Sequence, residues 1–196
     1  MLRMVIADLR STVSANYPPL NFWTRVIGKS LFAPAVHVVV LYRLSAALYK
    51  FVPTRPFAFL LRAMTTVWGG TEIHPATTIG PGLCLVHSHK VVIGPGVTIG
   101  SNARIGHGVT IAGDTGSIGS RTRRGFPVIG NDVTIALDSI VLGPVTVGDG
   151  AFIAAQSMVL HDVPARTVVR GSPAKVVRSL DDPDDPDEPG DPRGEA

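Results

Sequence analysis

An isoleucine, valine or leucine recurs every sixth residue through the middle of this chain, usually with a small residue just behind it. Ile93-Gly94, Ile99-Gly100, Ile105-Gly106 and Ile111-Ala112 keep strict time. The beat resumes at Ile129-Gly130 and runs through Ile135-Ala136, Val141-Leu142, Val147-Gly148, Ile153-Ala154 and Val159-Leu160. Ile73, Ile79-Gly80 and Leu85-Val86 extend it upstream. A six-residue period fits neither an α-helix nor an ordinary strand ladder. It predicts a mainly β chain wound as a parallel β-helix, each hexad giving one short strand and one turn. Three hexads close a triangular coil of about eighteen residues. The branched side chain points to the prism axis, and the small residue lets the chain turn tightly.

The net charge of +3 hides an asymmetry. Residues 180–196 hold eight acids and one base, Arg193, leaving seven acids and seventeen bases in residues 1–179, a net +10. The Pro/Asp/Gly tail cannot build a core and is expected to be disordered. A body of that charge suits anionic ligands such as a phosphorylated cofactor. Nucleic acid is not expected, because the bases are scattered with no aromatic interleaving. The one cysteine, Cys84, excludes an internal disulfide and suits a reducing compartment. With no secretory leader pattern, the expected location is cytoplasmic. The longest apolar stretch, Leu31 to Tyr42, is too short to span a bilayer.

Three regions follow: an N-terminal helical region at 1–70, the solenoid at 71–179 and the acidic tail at 180–196. Residues 1–18 are weakly patterned, and Tyr17-Pro18-Pro19 marks a break. Apolar periodicity predicts a helix from Pro34 to Phe51, ended by Pro53 and Pro56, and a second from Phe57 to Val67. Gly69-Gly70 is the hinge into the solenoid. The helices are expected to pack on the first coil and on a neighbouring subunit. Peripheral membrane contact through Trp68, Phe57, Phe59, Arg55 and Arg62 is the lesser alternative. Residues 165–179 leave the hexad register and should end the prism as an extended segment.

The rhythm breaks twice. Eight residues separate Leu85 from Ile93, and from Ile111 to Ile129 the pattern gives way to a glycine-rich basic stretch. That stretch should protrude as a loop over 113–127, and sites are built in such interruptions. The first break contains His87 and His89, two apart and so on one side of an extended strand. Glu72 lies fifteen residues before His87, which an eighteen-residue coil would bring close beneath it. A carboxylate on an imidazole stabilises the imidazolium formed on proton uptake, and histidine suits a general base for a hydroxyl. Surface residues of a turn are the plain alternative.

These residues carry a resemblance. Thr71-Glu-Ile-His-Pro-Ala-Thr-Thr-Ile-Gly-Pro-Gly, then Val86-His87, Val91-Val92-Ile93-Gly94 and Val109-Thr110-Ile111-Ala112-Gly113 resemble the serine acetyltransferase family. The closing Gly171-Ser172-Pro173-Ala174-Lys175-Val176-Val177 is similar to that family's terminal segment. The resemblance spans Glu72 to Gly113 and Pro127 to Val177. It implies a left-handed hexapeptide-repeat β-helix that forms homotrimers with sites between subunits, moving an acetyl group from acetyl-CoA to a hydroxyl without a metal. It implies His87 as general base, Glu72 as its acidic partner, and Gly113 as the backbone N–H near the thioester oxyanion. Ala136 and Ala154 would give flat contacts to the donor, and Lys175 and Arg178 would meet its phosphates.

Two departures bear on the acceptor. The family's aspartate before the base, which holds the substrate ammonium, is Val86 here. Its loop Arg-His pair reads Gly125-Phe126. Losing a charge-paired contact in a partly dry site costs affinity. On this ground the favoured acceptor is a saccharide or another small-molecule hydroxyl, with free serine as the alternative. Phe126 would stack on a sugar, and His107, His89 and Arg124 would line the acceptor pocket. A non-catalytic trimeric scaffold is a further alternative. A metal-dependent carbonic-anhydrase-like lyase using His87, His89 and His107 is the remotest.

Overall fold

Each hexad does become one short strand, and stacked coils align the strands into three parallel sheets. The computed structural model describes residues 1–14, 34–114 and 125–181. The solenoid is a left-handed β-helix of about four turns. The first face carries β1 (Glu72–Ile73), β4 (Val92–Ile93), β7 (Thr110–Ala112), β10 (Ile140–Leu142) and β13 (Met158–Val159). The second carries β2 (Thr78–Ile79), β5 (Thr98–Ile99), β8 (Val128–Ile129) and β11 (Thr146–Val147). The third carries β3 (Cys84–Val86), β6 (Arg104–Gly106), β9 (Thr134–Ile135), β12 (Phe152–Ile153) and β14 (Thr167–Arg170), closed by β15 (Lys175–Ser179). The hexad aliphatics form the buried axis, and the residue two places ahead of each, such as Val91, Val97, Ala103 and Val109, is buried with it. Each buried branched side chain contributes about 1.5–3 kcal/mol relative to exposure.

Close stacking depends on the glycines behind the aliphatics. A Cβ on Gly100 would fall 2.6 Å from the Gly130 carbonyl oxygen of the next coil. At the corners the chain reverses through left-handed residues. One edge repeats this at Lys90 (φ 59°), Asp138 (φ 54°) and Gln156 (φ 57°), short or polar turn formers apart from the lysine.

Both interruptions sit at corners, where an insertion leaves the ladders intact. The first makes one coil twenty residues long, with Glu72 paired to Val92 and Val86 to Gly106. The second leaves between the first and second faces. Its neck is closed by Asp114 and Gly125, each donating its N–H to the other's carbonyl at 3.0 and 3.3 Å.

The helical region holds a helix that the sequence pattern did not reveal, α1 (Leu2–Ser14). It is followed by α2 (Pro34–Tyr49) and α3 (Arg55–Gly69), near the expected bounds. Burial in α1 does not follow its apolar residues. Its buried face centres on polar Asp8 and Thr12, while Leu2 and Ile6 face outward. Tyr42 of α2 donates to the Thr77 carbonyl at 2.8 Å, and burial pushes its phenol up to about 12. The outer side of α3 leaves Phe57, Leu60, Val67 and Trp68 exposed. Among the described residues no helix is long and apolar enough to cross a membrane. The extended segment expected at the end of the prism is a hairpin, with β15 antiparallel to β14.

Candidate active site

The edge between the third and first faces gathers most of the chemistry. His87 follows β3 in a left-handed conformation (φ 55°), and its carbonyl accepts the His89 N–H at 2.7 Å. This tight turn absorbs the two extra residues. The stretch is therefore not extended, and strand alternation does not place His87 and His89 side by side. Coil stacking instead sets His87 against His107, with ring centroids 6.3 Å apart and planes at 69°. His107 Nδ1 is buried and has no hydrogen-bond partner among the described residues. His89 is exposed on the same turn.

Glu72 lies beneath Val92, five residues beyond His87, and even an eighteen-residue coil would have set it beneath Lys90. The chain segments still meet: the Thr71 hydroxyl donates to the Ser88 carbonyl, so Glu72 and His87 each adjoin a contacting residue. The Glu72 carboxylate pairs with Arg62 of α3, a partner that sequence reasoning missed. No hydrogen bond joins Glu72 to His87 among the described residues. Two residues on, His74 packs edge-on against Phe59 at 5.7 Å and Tyr49 at 5.9 Å, and its Nδ1 accepts the Ala76 N–H at 3.1 Å. Burial first, then the Arg62 cation, hold the His74 imidazole below its ordinary range, with Glu72 opposing.

That depression carries a stability consequence. The unfolded chain takes up a proton at His74 near the ordinary value of 6.5, before the folded chain does. The stabilisation is present above that pH and is lost as pH falls through the lower folded value. Melting temperature should therefore decline on acidification from about pH 7 to about pH 5. His74→Asn should flatten that decline, and an unchanged slope would count against the assignment.

Above the histidines, strand register builds a column of small residues. Val86 pairs with Gly106, and the ladder continues through Ile105, Ile135, Ile153 and Val169, stacking Gly106, Ala136, Ala154 and Arg170 in line. A Cβ on Gly106 would fall 2.9 Å from the Leu137 nitrogen, so only glycine allows this approach. At about 4.8 Å per coil, Gly106 to Arg170 spans roughly 14 Å. At the upper end Arg170 faces Lys175 across the hairpin, and Arg178 stands opposite Val168. The edge thus carries a column of small residues with imidazoles at one end and cations at the other. Sequence reasoning named Ala136, Ala154, Lys175 and Arg178 but missed Arg170, which only the hairpin register brings to the column.

Gly113 lies elsewhere. It sits at the opposite edge of the first face, separated from the histidines by at least the roughly 10 Å of a three-residue strand. Phe126 seats its ring on Gly96 and Gly113, where added Cβ atoms would fall 2.7 and 2.3 Å from ring carbons. One face of that ring is therefore covered by the coil, although the side chain stays 42% exposed. In a single chain, Gly113 and Phe126 do not join the histidine edge. Arg124, with Arg121 and Arg123, lies outside the described residues, as does the acidic tail beyond 181.

Cys84 is fully buried under α1, and burial pushes its thiol above the ordinary range, against the smaller pull of Arg104. Such a thiol fills space and is a poor nucleophile. Among the described residues no group of three or more His, Cys, Asp or Glu side chains is arranged to hold a metal ion.

No family model matches the chain. Known proteins nevertheless resemble it over most of its length. The serine acetyltransferase of Bacillus subtilis (strain 168) is 39% identical over 178 residues, covering 89% of this chain and 76% of that protein. The serine acetyltransferase of Helicobacter pylori (strain 26695) is 39% identical over 150 residues, covering 75% and 83%. The crystal structure of serine acetyltransferase from Brucella abortus in complex with coenzyme A superposes with a TM-score of 0.79 at 30% identity, covering 90% of this chain and 67% of that one. The Neisseria gonorrhoeae serine acetyltransferase in complex with serine gives 0.77 at 30% identity, covering 90% and 69%.

Proposed function

The chain belongs to the serine acetyltransferase family, and from that membership we propose that it moves the acetyl group of acetyl-CoA to the hydroxyl of serine. It is an acyltransferase with acetyl-CoA as co-substrate. The preference for a saccharide, drawn from Val86 and Gly125-Phe126, gives way here. Relatives that share most of this chain act, by name, on serine, and a similar fold has been solved with serine bound.

The observation that carries this reading is the solenoid edge that lines up histidines, small residues and cations. The small column Gly106-Ala136-Ala154 suits a slender pantetheine arm, and Arg170, Lys175 and Arg178 suit the phosphates at its end. The reacting thioester then lies by His87 and His107. His87 takes the proton from the serine hydroxyl as its oxygen attacks the thioester carbon. The carbon–oxygen bond forms, the carbon–sulfur bond breaks, and the departing thiolate takes that proton from the imidazolium. Glu72 balances the imidazolium charge in between. His107 offers its unpartnered Nδ1 to the acceptor, and exposed His89 borders the same mouth.

The oxyanion rests on a backbone N–H at or near Gly113. Because Gly113 is on the far edge of its own chain, a homotrimer that sets one subunit's histidine edge against a neighbour's loop edge completes the site. Phe126, and Arg124 from the same loop, then reach the acceptor from that neighbour.

A thiol-release assay tests the acceptor. Acetyl-CoA is offered with serine, homoserine, simple sugars and nucleotide sugars in parallel. Serine should drive CoA release at a rate typical of enzymes, on the order of 10 s⁻¹. Release with a sugar and none with serine would overturn the acceptor. Release with no hydroxyl at all would favour a scaffold.

A further inference from the structure

We infer that Arg62 is a positioning residue for the reaction, acting by fixing the Glu72 carboxylate, whose neighbour Thr71 is bonded to Ser88 of the His87 turn. The inference rests on the reading of His87 as the base.

Arg62 reaches down from α3 and donates from Nη2 to Glu72 Oε1. Oε2 has no partner among the described residues. The guanidinium is itself held in place. It lies over the Phe59 ring at 6.0 Å from the centroid, and Phe59 packs edge-on against Tyr49 and His74. Arg55, one helical stretch earlier, covers Tyr49 at 4.7 Å. Helix α3 therefore presents a packed cationic clamp to the first strand of the solenoid.

A clamp matters here because of the residue it holds. Glutamate has one more rotatable bond than aspartate, so its carboxylate samples more positions and loses more entropy when fixed. The ion pair takes one oxygen and narrows the choices for the other. Glu72 is anchored from behind as well, since the Thr71 hydroxyl ties its neighbour to the carbonyl of Ser88, the residue after His87. His74 does not compete with Arg62 for the carboxylate, because burial and the Arg62 charge keep its imidazole neutral. Arg62 acts through Glu72, its ion-pair partner.

The test uses the full-length protein and the thiol-release assay with acetyl-CoA and serine. Arg62→Ala should lower kcat roughly tenfold or more, the scale of a misplaced supporting group, with KM for acetyl-CoA unchanged. Arg62→Lys, which keeps a cation near Oε1, should recover most of the rate. In a Glu72→Gln background, Arg62→Ala should cost nothing further. A thermal melt on each variant identifies misfolding, and if Arg62→Ala misfolds, the same comparison is made with Arg62→Gln. Unchanged kcat, a raised KM for acetyl-CoA with kcat intact, or full additivity with Glu72→Gln would each overturn the inference. Failure of the underlying reading looks different: His87→Ala would then keep its rate, whatever Arg62 does.

Discussion

His87→Ala is expected to lower kcat by about 10²- to 10⁴-fold, the usual worth of a positioned general base. CoA binding should be nearly unchanged. The split follows from where the groups sit. On the proposed reading the donor lies along the column from Gly106 to Arg170, while His87 stands at its lower end. Truncating the imidazole removes the proton acceptor and leaves the cationic end intact. One structural complication has a ready control. His87 is left-handed at φ 55°, a conformation that costs alanine more than asparagine. His87→Asn keeps the turn and removes the base, so it should be as inactive as alanine and melt closer to wild type. Binding is measured by calorimetry with CoA, and turnover by thiol release. If either variant retains full rate, the base is another group. If both lose CoA affinity along with rate, the donor runs closer to His87 than the column suggests.

The solenoid was legible because its signal repeats. Ile93, Ile99, Ile105 and Ile111 each report the same inward position, and one register places them all. The helices α2 and α3 were legible as long apolar segments bounded by prolines. Helix α1 was not, because its burial centres on polar Asp8 and Thr12 and not on its apolar residues. For the candidate site, sequence suggested residues but not how they are arranged. Spacing alone could not tell that the two extra residues form a turn at His87, which shifts the partner of Glu72 from residue 90 to Val92. Nor could it reveal Arg62 or Arg170. Both reach the site through tertiary packing, one from a helix and one through a hairpin, and neither carries a local pattern. The saccharide preference rested on Val86 and Gly125-Phe126 read as lost contacts, while similarity across most of the chain supports the serine alternative better.

Asp8→Ala is expected to destabilise the fold by about 3–5 kcal/mol, the cost of stranding one partner of a buried ion pair. The carboxylate is 1% exposed and accepts four hydrogen bonds. Two come from Arg43, from Nε at 2.8 Å and Nη2 at 3.0 Å. Two come from the backbone N–H groups of Gly82 and Leu83, at 2.8 and 2.9 Å. Arg43, 6% exposed, also donates to the carbonyls of Ile79 and Gly80 at 2.5 and 2.6 Å. This network joins α1, α2 and the first coil through groups that have no water to fall back on. Removing Asp8 leaves a buried guanidinium and two unpaired N–H groups. Arg43→Ala leaves a buried carboxylate and two unpaired carbonyls, at a similar cost. For a chain of this size the loss corresponds to a melting shift of roughly 6–20 °C. The double variant should cost clearly less than the two single losses combined, because each single change strands the other partner. Denaturant unfolding of the two single variants and the double variant measures this coupling. A loss below about 1 kcal/mol for Asp8→Ala would place the pair among exposed ion pairs of little consequence. The helices would then be held by their apolar contacts alone, and the first coil, with Glu72 and the His87 turn, would not depend on this network for its seat.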